Sequence, residues 1–69
     1  MPANATEHQR ETMRSLFRMH LGDIAATCAA YARAEANGHV FRKGGDFRLS
    51  SEDYAKALLV HGLETGWIR

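Results

Sequence analysis

The side chains best suited to hold a metal or attack an electrophile are His8, His20, His39, His61 and the single cysteine, Cys28. None of them stands in a His-x-x-x-His or Cys-x-x-Cys pair, the spacings that put two zinc ligands within reach of one ion. The pattern therefore predicts no metal site and no cofactor. Cys28 falls on the apolar side of a helical repeat, where a thiol serves as a small buried hydrophobe more often than as a thiolate. His20 lies two helical turns from it, too far to act as its base. Lys43-Gly44-Gly45 lacks the spacing of a phosphate-binding loop. The carboxylates form no pair suited to acid–base work, so the expectation is a chain that is not an enzyme.

Two basic groupings remain. Arg10, Arg14 and Arg18 recur at four-residue steps and make a stripe along one helix. Arg42, Lys43 and Arg48 surround a Gly-Gly pair and alternate with Phe41 and Phe47. Basic side chains interleaved with aromatics can follow a nucleic-acid backbone and stack on bases. They equally suit an acidic protein surface, and arginines with aromatics are frequent anchors of protein interfaces. Glu7 and Glu11 are placed to neutralise part of the first stripe, and Asp46 part of the second. Nine lysines and arginines against eight acids give a formal charge of only +1, without the large basic excess of a nonspecific nucleic-acid binder. Trp67, near the end of the sequence, either folds back to complete a core or serves as a further anchor. The partner-contact candidates are accordingly Phe41, Arg42, Lys43, Phe47, Arg48 and Trp67.

These residues need a frame. Thr6 with Gln9, or Asn4 with Glu7, has the spacing of a helix-capping box. From there Met13, Phe17, Leu21, Ile24, Cys28 and Tyr31 recur at steps of three and four, the mark of one helix face. Gly22 and Asp23 could end one helix and cap a second, but the stripe passes through Gly22 without losing phase, which predicts one helix from about Thr6 to Ala36, closed by Asn37-Gly38. His39 to Lys43 and Asp46 to Leu49 flank Gly44-Gly45, a signal for a short hairpin, with a glycine-rich loop as the alternative. Ser50 to Asp53 is a second capping box, and Tyr54, Ala55, Leu58, Leu59, Gly62 and Leu63 give the following helix a wide apolar arc. Gly66 should end it. The fold class read from the sequence is thus mostly α: a long N-terminal helix, a short β-hairpin or loop, and a C-terminal helix, in one domain spanning residues 1–69.

A domain of this size buries little surface, and small proteins offset that with disulfides, metals or self-association. One cysteine cannot form an internal disulfide. Between Ile24 and Ala32 no residue is charged, and a helix apolar on all sides is usually covered on more than one. The expectation is a homodimer through Phe17, Leu21, Ile24, Ala25, Cys28, Ala29 and Tyr31. Neither a signal peptide nor a membrane-spanning stretch is evident, which predicts a cytoplasmic protein.

In size, charge balance and helical build the chain resembles short phage-encoded inhibitors of host proteins, such as anti-CRISPRs and quorum-sensing anti-activators. That likeness is one of profile and transfers no residue. It implies a non-catalytic regulator or inhibitor that binds a bacterial host protein. The alternative is a small dimeric DNA-binding transcriptional regulator.

Overall fold

The computed structural model describes residues 5–41 and 48–68. They form three helices in the order α1 (Glu7–Met19), α2 (Ile24–Ala36) and α3 (Ser51–Thr65). Each begins where a short polar side chain can satisfy free backbone N–H groups. Thr6 accepts from the Gln9 N–H while the Gln9 carboxamide oxygen accepts from the Thr6 N–H, completing the capping box. Asp23 caps α2 through the Ala26 N–H, and Ser50 caps α3 through the Asp53 N–H.

The single long helix that the unbroken stripe predicts is instead two. The chain turns at His20 to Asp23, with Leu21 at φ 57° and Gly22 at φ 80°, both left-handed. The turn satisfies two of the last carbonyls of α1: Leu21 N–H donates to Arg18 O at 3.1 Å, and Gly22 N–H to Phe17 O at 2.9 Å. Met13 and Phe17 of α1 and Cys28 and Tyr31 of α2 face one shared core, while Leu21 and Ile24, which carry the stripe across the turn, are exposed. Continuity of period marked that core and not a continuous rod.

The hairpin expectation is corrected in part. Among the described residues there is no strand; His39, Val40, Phe41, Arg48 and Leu49 are bends or irregular chain. Val40 is buried while Leu49 is exposed, whereas a two-residue turn at Gly44-Gly45 would set them opposite each other on one sheet face. Its central residues, 42–47, lie outside those described.

Met13, Cys28, Tyr31, Val40, Tyr54, Ala55, Leu58, Leu59 and Ile68 make the core, with Leu16, Phe17 and Trp67 packed at its margin. α2 packs chiefly on α3, and α1 on α2. Leu63, counted in the apolar arc of the last helix, stays exposed. No helix among the described residues is long and apolar enough to cross a membrane.

Candidate functional site

The dimer candidates separate by depth. Cys28 and Tyr31 are buried within the chain's own core, Phe17 is half-buried against it, and Ala29 is half-buried. Leu21, Ile24 and Ala25 are exposed. Burial pushes the Cys28 thiol above its ordinary pKa; Lys56 pulls it down and Glu52 adds a smaller upward push. A thiol held protonated is a poor nucleophile.

The exposed members gather at the α1–α2 turn. Leu21 is 93% exposed, Met19 69% and Ile24 44%. Three large apolar side chains thus stand in water within six residues of chain. Leu21 also occupies a left-handed backbone, which costs a bulky residue about 1–2 kcal/mol. Asp23 and Gly22 account for the turn itself; nothing in the fold requires leucine at its tip.

The second group of candidates sits near the loop between α2 and α3. Phe41 is 71% exposed, and Arg48 is exposed. Arg42, Lys43 and Phe47 lie outside the described residues. The approach to this segment is fixed by the first turn of α1. His8 Nε2 donates to the His39 carbonyl at 2.8 Å. Gln9 Nε2 donates to the Phe41 carbonyl and, at 3.3 Å, contacts the Tyr54 hydroxyl. Gln9 is 1% exposed, so its carboxamide caps α1 with one end and tethers the loop and α3 with the other. The capping box was readable in the sequence; the tether was not, because both its partners lie more than 30 residues away.

The arginine stripe is partly spent. Arg10 and Arg14 both reach Glu7, at 2.7 and 2.9 Å. Hydrogen bonds from Arg10 and then Arg14 hold the Glu7 carboxyl below its ordinary pKa. Trp67 folds back, as core completion requires: its indole N–H donates to His61 Nδ1 at 3.4 Å, and Ile68 beside it is 3% exposed. Among the described residues no three histidine, cysteine or acidic side chains come together in a way that could hold a metal. No protein-family model, curated protein or solved structure matches the chain.

Proposed function

We propose that the chain is a non-catalytic, protein-binding regulator or inhibitor and that the α1–α2 turn is its main contact. The observation that carries this is Leu21: a bulky side chain almost wholly in water, in a left-handed backbone, flanked by exposed Met19 and Ile24. Water-exposed apolar clusters of this kind mark interaction surfaces. Phe41 and Arg48 add an aromatic and a guanidinium near the α2–α3 loop, residue types enriched among interface hot spots. A bacterial host protein is the target that the resemblance to phage inhibitors favours. Pairing of two copies through Ala25 and Ala29 of α2 belongs to the same reading, with Cys28 and Tyr31 supporting that surface from beneath and Leu21 left to the partner.

The DNA-binding alternative has less to draw on. The first turns of α2, which would have to read bases if α1 and α2 acted as a helix-turn-helix, begin Ile24, Ala25, Ala26 and offer no base-edge donors there. The experiment is a pull-down from bacterial lysate with the wild-type chain and Leu21→Asp, beside a DNA shift assay at two salt concentrations. The expected result is one stoichiometric protein partner, lost in the variant, and no shift. A DNA shift that weakens steeply with salt, with no protein recovered, would overturn the proposal.

A further inference from the structure

Where the end of α3 meets α1 there is a notch of about 160 Å³ lined by Arg14, Arg18, Gly66, Trp67 and Ile68. Its walls are built by the way α3 ends. Gly66 is left-handed at φ 88°, and the Ile68 N–H returns to the Gly62 carbonyl at 3.1 Å. This hook drops Ile68 into the core and sets Trp67 at the margin. A Cβ on Gly62 would lie 2.6 Å from Ile68 Cδ1 and 2.9 Å from the Trp67 ring, so the hook lies hard against α3. The opposite wall is the arginine stripe.

The two arginines of the notch differ. Arg14 is held by Glu7, at 2.9 Å through one terminal nitrogen. A guanidinium has five N–H donors, so it keeps others to offer. Arg18 is exposed and, among the described residues, its guanidinium has no hydrogen bond or ion pair. An uncommitted guanidinium, a second positive charge, an indole and a buried isoleucine side chain thus border one small space. That combination suits a ligand with an anionic head and a short apolar stem.

We infer that the notch is a receptor for a carboxylate side chain of an acidic peptide segment, with Arg18 taking the carboxylate in a two-point hydrogen bond and the Trp67 ring packing its methylenes. Planar two-point pairing is what distinguishes arginine from a simple point charge. Nucleic acid fits less well. It engages a run of phosphates along a positive track, and on this face Glu7 neutralises part of the charge of Arg10 and Arg14, so among the described residues Arg18 is the one arginine of the stripe without an acidic partner. The inference rests on the protein-binding reading in one respect, that the carboxylate belongs to a polypeptide.

The test is a titration of the full chain followed by the fluorescence of Trp67, its only tryptophan. The probes are hexaglutamate, hexaglutamine and a phosphate-bearing oligothymidylate, each against wild type, Arg18→Gln and Arg33→Gln. Arg33 is exposed on α2 and borders a different groove, so its variant removes the same charge elsewhere. The expected result is a saturable change with hexaglutamate alone, weakened about tenfold by Arg18→Gln, the loss of one charge-assisted pair. Arg33→Gln should change affinity by less than about twofold, the effect of a distant, screened charge. Equal loss in both variants would reduce the effect to general attraction and overturn the inference. So would tighter binding of the oligothymidylate, or no response to hexaglutamate. Circular dichroism of each variant separates lost binding from lost fold. No native partner is needed, so a failed titration leaves the protein-binding reading to its own pull-down.

Discussion

Two helix ends in this chain solve the same backbone problem in opposite ways. At the end of α3 the left-handed residue is Gly66, and the chain beyond it turns inward to bury Ile68. At the end of α1 the left-handed pair is Leu21-Gly22, and the side chain at the bend points into water. Glycine carries no steric penalty in that region; leucine does. The C-terminal hook is therefore explained by folding: backbone, burial and packing agree. The α1–α2 turn is not. Its leucine adds strain and buries nothing, so the fold of the chain alone supplies no reason for it. Strain without a structural return is a pointer toward function.

The comparison breaks most readily at the hook. Ile68→Ala should destabilise the chain by about 2–4 kcal/mol, the range for truncating a buried isoleucine; urea unfolding followed by circular dichroism measures it. A loss under about 1 kcal/mol would show that the hook contributes little beyond a surface residue. Gly62→Ala comes next, with an expected cost of about 1–3 kcal/mol from overpacking against Ile68 and Trp67. Trp67 fluorescence should shift to the red as the ring is displaced toward water. Gly66→Ala should cost about 1 kcal/mol. A Cβ there has nothing within 4 Å, so this variant isolates the backbone penalty that Leu21 already bears.

The same contrast bounds what the sequence discloses. Thr6, Ser50, Asn37-Gly38 and Gly66 act as the caps their types and spacing indicate, because a cap is satisfied within four or five residues of chain. Core membership was equally legible for Met13, Cys28, Tyr31, Leu58 and Leu59, whose periods record the face they bury. The break at Gly22 was hidden, since α1 and α2 serve one core and their stripes happen to align. Gly22-Asp23 offers a helix end followed by a cap, and that local signal outweighs the unbroken period on which the single-helix expectation rests. The Gln9 tether and the meeting of Arg18 with Trp67 depend on how the ends of α1 and α3 come together, which no local pattern records. Of the candidate contacts, Trp67 folds back against the core and Phe41 is exposed.

The most direct test is Leu21→Gly, measured twice on one preparation: unfolding free energy in urea, and capture of the partner recovered by the wild-type chain. Glycine removes both the side chain and the left-handed strain. The account predicts stability higher by about 0.5–1 kcal/mol, strain relief less the added chain entropy, together with capture weakened by about tenfold or more, as for loss of an interface anchor. A variant that is less stable than wild type, or that is more stable and captures the partner undiminished, would contradict it.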